Sequence, residues 1–161
     1  MVTSHGKHPG GQWAFLLHRL PREPSAPRIA LWRSLRRLGV VLLSDGLVAL
    51  PATPRTIEHL EWLAAGIEEQ GGSASVWLAR PIASENGRRM AEQARRDVDE
   101  EYLGVIRQAE SVGAGATERA RALRRLRGEL RRVATRDFFG APSAGRARQA
   151  VEGLARQAVT A

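Results

Sequence analysis

The sequence contains no cysteine, so it offers no disulfide and no thiolate for metal binding or redox chemistry. Its four histidines show no metal-ligand spacing, and we therefore expect neither a metal site nor a cofactor. No apolar run approaches the roughly twenty residues of a membrane-spanning helix, and the N-terminus has no apolar signal core. These absences predict a cytoplasmic protein without a membrane partner.

Lysine is nearly absent as well, although the chain is strongly basic. Lys7 is the single lysine among 25 basic residues, which face 17 acidic residues and leave a net charge of +8. This balance favours an anionic partner, with nucleic acid first and an acidic protein second. The alternative is that an arginine-rich composition reflects genomic base bias, so the positions of the arginines have to decide.

The first elements of the chain are predicted from apolar patterning and from turn residues. Residues 12–20 are apolar on both alternating faces, which is typical of a central strand covered on two sides. Ser25 is a candidate N-cap for a helix that has Pro27 in its first turn, runs to Leu38 and ends at Gly39.

A hairpin follows, because Asp45-Gly46 joins the apolar runs Val40–Leu43 and Leu47–Leu50 in a turn that needs positive φ. Thr53 caps a second helix, and residues 73–79 form a last strand. The order is βαββαβ, which predicts an α+β protein with a ferredoxin-like, split-βαβ sheet followed by an α-helical C-terminal segment.

The domain organisation follows from this order and from the helical periodicity of the remainder. We expect a disordered tail at 1–11, a ferredoxin-like domain at 12–82, and at 83–161 a helical hairpin plus a C-terminal helix packed on the first domain. Thr117 is the expected cap of the second long helix. The doubly apolar first strand and the outward Trp62 need cover from the helices after residue 85 or from a homodimer mate.

Several stretches in the same order resemble the N-terminal region of the chromate resistance regulator ChrB. They are LWRSLRRLG, LLSDGLVALPATPRT, EWLAAGIEEQGG, EEY at Glu100–Tyr102 and RDFFGAP at Arg136–Pro142, and the resemblance spans about residues 12–158. It implies a DNA-binding transcriptional regulator of a chromate efflux operon, and the family continues into a second domain that this sequence does not contain. The first part is also similar to the central domain of phenylacetate-degradation repressors, which is ferredoxin-like.

The first group of candidate DNA-binding residues lies on and beside the first helix. At 100° per residue, Arg33, Arg36 and Arg37 fall opposite its leucine stripe, while Arg28 and Arg55 lie near the starts of the two helices. Arginine offers forked donors suited to phosphate oxygens. The alternative is a solvated helix face, and Arg28 either extends past the helix end or contacts an oxyanion such as chromate.

The second group lies on the basic helix at 119–136 and comprises Arg124, Arg125, Arg131 and Arg132. Such a helix can follow a DNA backbone. The alternative is that the acidic residues of Asp97–Glu101 pair with these arginines across a helical hairpin.

These observations favour a DNA-binding regulator without a catalytic site over a non-catalytic dimerisation or protein-interaction module left from a truncated regulator. An enzyme is the third alternative, because ferredoxin-like nucleases of the spacer-integration type hold a metal with an aspartate at the end of the first strand. That place reads His18-Arg19-Leu20, so we expect no enzymatic activity.

Overall fold

The computed structural model describes residues 11–113 and 115–159, so nearly all of the tail predicted at 1–11 lies outside the described residues. Nine elements follow one another in these ranges: β1 Trp13–Arg19, α1 Ala26–Leu38, β2 Val41–Ser44, β3 Leu47–Pro51, α2 Pro54–Glu69, β4 Ser73–Ala79, α3 Ser84–Glu110, α4 Ala116–Ala134 and α5 Ala144–Val159.

The four strands form one antiparallel sheet in the order β2-β3-β1-β4. β1 lies between two neighbours, since Leu16 is opposite Val48 of β3 on one side and Val76 of β4 on the other. The predicted central position of the first strand is thus confirmed, as is the combination of an antiparallel sheet with helices.

The hairpin turn between β2 and β3 requires its glycine. Gly46 has φ 80° and its carbonyl accepts a hydrogen bond from His18 N at 2.7 Å. A Cβ atom on Gly46 would lie 2.5 Å from the carbonyl oxygen of His18, well inside contact distance. The prediction of a tight turn at Asp45-Gly46 is confirmed, and the turn also contacts the end of β1.

Helix α1 is held on the sheet by few contacts. Leu35 is its one buried residue, while Leu31 and Leu38 are half-buried. Ser25 occupies the N-cap position as predicted, but its side chain makes no capping hydrogen bond because its backbone is already helical. Gly39 ends the helix with φ 70°.

Helix α2 is fixed more firmly at its start. Thr53 and Thr56 form a reciprocal capping box, and the Thr56 hydroxyl also donates to the carbonyl of Pro51 at 2.5 Å. This bond joins the start of α2 to the end of β3. Leu60 and Ile67 are buried where α2 packs on the sheet, in contact with β1 and β4.

The chain divides into two compact units within α3, one ending at Ala94 and the other beginning at Arg95. The boundary predicted at residue 82 lies earlier in the chain, because it was placed where the sequence changes from a strand pattern to a helix pattern. In the second unit, the buried side chains come from the later part of α3, from α4 and α5, and from the turn between α4 and α5.

One detail of the helical prediction is wrong. α4 begins at Ala116 with Gly115 at the N-cap position, so Thr117 lies inside the helix and does not cap it. Trp62 is 72% exposed. Its cover by the later helices or by a second copy of the chain stays a prediction.

The two motifs EEY and RDFFGAP meet in the second unit. Glu101 forms an ion pair with Arg136, and the Tyr102 hydroxyl donates to Asp137 Oδ2 at 3.3 Å. The other oxygen of Asp137 accepts the backbone N–H of Ala141 at 2.9 Å. Both motifs therefore stabilise the turn that follows α4.

Two sets of contacts show that α3 and α4 run antiparallel. Glu101 pairs with Arg136, whereas Gln108, which follows Glu101 in α3, contacts Arg125 and Glu129, which precede Arg136. The predicted helical hairpin is present. Among residues 11–113 and 115–159, no helix is long and apolar enough to cross a bilayer.

Candidate nucleic-acid interface

Helix α4 presents one strongly basic face. Its buried residues, Ala122, Leu126 and Val133, define the opposite side at 100° per residue. Six arginines of α4 are exposed: Arg121, Arg124, Arg125, Arg127, Arg131 and Arg132. We call these six residues the α4 arginine face; at 100° per residue, Arg124 and Arg131 lie directly opposite the buried residues and the other four lie to either side. It contains all four arginines that the sequence predicted on this helix.

The α4 arginine face is not neutralised by the acidic part of α3. Within the described residues, Arg124, Arg131 and Arg132 make no ion pair, and Arg125 Nη1 donates to the neutral Gln108 Oε1 at 2.5 Å. The predicted alternative holds for one pair, because Glu101 pairs with Arg136, but within the described residues no acid of α3 pairs with Arg124, Arg131 or Arg132.

The acids of α3 have other partners. Glu101 pairs with Arg136, which lies beyond the last residue of α4, and Asp99 Oδ1 accepts the backbone N–H of Ser143 at 2.7 Å. Both carboxylates face the turn between α4 and α5. Their use in that turn leaves the charge of the α4 arginine face available to an external anion.

Helix α1 presents a second, smaller basic face. Arg33, Arg36 and Arg37 are exposed and lie opposite buried Leu35, as predicted. Two of them have contacts within α1, since Arg37 Nη2 donates to Ser34 Oγ at 3.0 Å and the Arg36 guanidinium lies 6.0 Å from the centroid of the Trp32 ring. These contacts hold the guanidinium groups close to the helix surface.

Arg28 and Arg55 are exposed but lie at opposite ends of the sheet. Arg28 lines a groove with Arg19 and Ser73, a register pair at the end of β1. Arg55 is in the first turn of α2, which is bonded to Pro51 opposite the start of β1. Seven strand residues separate the two ends, so the two arginines do not serve one phosphate.

Arg19 and Arg22, which were not predicted as site residues, line this groove together with Arg28. His18 lies there too, and partial burial lowers its pKa from the usual 6.5, although Asp45 opposes the shift. The pattern did not indicate the groove because α1 and the last strand meet the end of β1 only in the folded chain.

One comparison with known proteins identifies a family. The family model described as Protein ChrB, N-terminal, matches residues 28–160, so the match begins within α1, includes every later element and leaves out β1. No curated protein and no solved structure matches the chain.

Proposed function

The chain belongs to the ChrB N-terminal family, and on that premise we propose that it is a DNA-binding transcriptional regulator of chromate resistance. The α4 arginine face supports this proposal most strongly, because it gathers exposed cationic side chains on one side of a single helix. A face of this kind matches a polyanion better than a small ligand, since its arginines are exposed along the outer surface of the helix.

The dimensions of the α4 arginine face fit a DNA backbone. At a rise of about 1.5 Å per residue, the distance from Arg121 to Arg132 along the helix is roughly 16 Å. Duplex DNA carries about one negative charge per 1.7 Å of its axis, so several phosphates lie within that length. Arginine–phosphate contacts set affinity and register but do not read bases. Sequence selection therefore needs further contacts.

The first unit contributes to the same proposal. We propose that its sheet is the ferredoxin-like, split-βαβ arrangement, which is supported by the central β1 and β3 and by the antiparallel pairing of β1 with both neighbours. Arg33, Arg36 and Arg37 on α1 are the phosphate contacts proposed for this unit. A regulator of this kind acts where the genome is, so a cytoplasmic location is part of the proposal.

The experiment compares two variants that lose the same charge. Arg124→Gln with Arg131→Gln changes the α4 arginine face, whereas Arg96→Gln with Arg107→Gln removes two exposed arginines of α3. Fluorescence anisotropy with a labelled DNA duplex should show clearly weaker binding for the α4 pair and a small effect for the α3 pair. Equal losses would mean that net charge alone governs binding, and the proposed site would be wrong.

The proposal includes the absence of enzymatic activity. The end of β1 carries His18 and Arg19 where a nuclease of the spacer-integration type has an aspartate. We therefore expect Mg²⁺ or Mn²⁺ neither to raise the melting temperature nor to cause cleavage of DNA or RNA. Metal-dependent cleavage that persists through repurification, and that is lost in a His18 variant, would contradict this part of the proposal.

A second candidate function is a dimerisation module, which is favoured by the exposed edge of the sheet. β4 pairs only with β1 among the described strands, has no charged residue, and exposes Trp77 by 61% and Leu78 by 50%. Uncharged, apolar edge strands invite pairing with another strand. If β4 mediates a homodimer, Trp77→Lys should convert it to a monomer in sedimentation analysis. A monomeric parent protein would exclude this candidate.

A further inference from the structure

A large groove opens in the first unit at the end of β1. Its volume is about 1700 Å³, and its walls come from the end of β1, the first half of α1, the β2–β3 turn and the start of β4. On the α1 side, Leu35 is the one buried residue of the helix, and Leu31, one turn earlier, is half-buried in the groove wall. All of its lining residues belong to the unit that ends at Ala94.

The rim of the groove is basic and has little internal compensation. Arg19, Arg22 and Arg28 line it and are exposed, and within the described residues none of them makes an ion pair. Asp45 is the one acidic residue of the lining. Three guanidinium groups with one carboxylate leave a net positive site, which complements an anion.

The groove also exposes large apolar side chains on its walls. Leu17 is 51% exposed, and Ile29 and Trp32 are each 48% exposed, all of them facing the same opening. Large apolar side chains that are left half in water inside a concavity are typical of a ligand site. An inorganic anion would leave these walls uncovered.

We propose that this groove binds an amphipathic organic anion, with its carboxylate or phosphate head at Arg19, Arg22 and Arg28. Its apolar body lies on Leu17, Ile29 and Trp32. The volume exceeds the roughly 300–1000 Å³ of typical small-ligand sites, so the body is extended, such as an alkyl chain, and part of the groove stays open to solvent. The site is independent of the α4 arginine face, and its test does not depend on DNA binding.

The test uses decanoate as the ligand and displacement of anilinonaphthalene sulfonate fluorescence as the readout. We expect decanoate to displace the dye, and decanol and sodium sulfate at the same concentration to displace little of it. The alcohol lacks the charge, and sulfate lacks the apolar body. Equal displacement by decanol would show a purely apolar patch. Equal displacement by sulfate would show a simple oxyanion site, and either result would overturn the proposal.

Two matched pairs of variants locate the site. Arg28→Gln should weaken decanoate binding by about tenfold, as loss of one charge-assisted hydrogen bond implies, whereas Arg80→Gln, at an exposed arginine outside the groove, should not. Ile29→Asn should weaken it, and Ile82→Asn, at a fully exposed isoleucine outside the groove, should not. Ile29 is 48% exposed and Ile82 is fully exposed, so neither substitution removes core packing. Decanoate affinity that is unchanged in Arg28→Gln and Ile29→Asn would place any binding elsewhere and refute the assignment.

Discussion

Tyr102 allows a direct test of how the two motifs of the second unit are joined. Its side chain is only 1% exposed, and burial, followed by the charge and hydrogen bond of Asp137, raises its pKa to about 12. It is the only tyrosine of the chain, there is no cysteine, and Lys7 is the single lysine. Alkaline titration therefore reports on this one phenol with little interference.

The expected magnitudes follow from the raised pKa and from the geometry. The folded protein keeps the phenol protonated above the usual pKa of 10, so the stabilisation is complete below pH 10 and is lost as the pH rises towards 12. A shift of this size corresponds to a loss of roughly 3 kcal/mol. At neutral pH, Tyr102→Phe should cost only about 1 kcal/mol, because it removes one long hydrogen bond and leaves no cavity.

The assay is the absorbance of tyrosinate as a function of pH for the folded chain and for the chain in urea. We expect midpoints near 12 and near 10, respectively. Asp137→Asn should lower the folded midpoint without returning it to the urea value, since burial persists when the charge is removed. Urea denaturation of Tyr102→Phe should show weaker pH dependence above pH 10 than the parent protein. Identical midpoints in the folded and urea-treated chains would refute the proposed contact.

Two further predictions concern the first unit. Leu35→Ala should destabilise it by roughly 2–3 kcal/mol in chemical denaturation, because Leu35 is the one buried residue of α1. Replacing Arg33, Arg36 and Arg37 by alanine should change the free energy of unfolding by less than about 1 kcal/mol. Similar losses in both variants would mean that the arginines hold α1. The lowered pKa of His18 means that the unfolded chain binds more protons below about pH 6.5, so the free energy of unfolding should fall as the pH drops from 7.5 to 5.5. His18→Gln should reduce that fall, and an equal fall in both proteins would exclude His18 as its source.

The features that were predicted correctly from the sequence depend on local backbone chemistry. Gly46 has the positive φ that a tight hairpin needs, Gly39 ends α1 in the left-handed region, and Thr53 caps α2 through its hydroxyl. Each of these residues acts within a few positions of itself. The pattern of such residues is therefore visible without knowledge of the fold.

The features that were missed depend on contacts between distant segments. Pairing of Asp97–Glu101 with the basic helix was the predicted alternative; Glu101 does pair with Arg136, whereas Asp99 accepts the backbone N–H of Ser143 in the turn after α4. Helical periodicity gives the face of a residue, and it does not give the partner that this face meets. The groove at the end of β1 was missed for the same reason, because Arg19 and Arg28 converge only through the fold.

The charge balance of the candidate site could not be predicted from the sequence. All four arginines predicted on α4 are exposed, and their contact with DNA stays a prediction. Counting charges could not decide whether they are neutralised, because the neutral Gln108 contacts Arg125. The structure therefore moves the stronger nucleic-acid candidate from α1 to α4.

The most direct measurement of the central claim is the salt dependence of DNA affinity. The parent protein is compared with a variant in which Arg124, Arg125, Arg131 and Arg132 are all changed to glutamine, with far-ultraviolet circular dichroism as the control for folding. Each phosphate contact contributes about 0.9 to the slope of log affinity against log salt concentration, so loss of four contacts should reduce the slope by roughly 3 to 4. A folded variant with the slope of the parent protein would contradict the proposal that the α4 arginine face binds DNA.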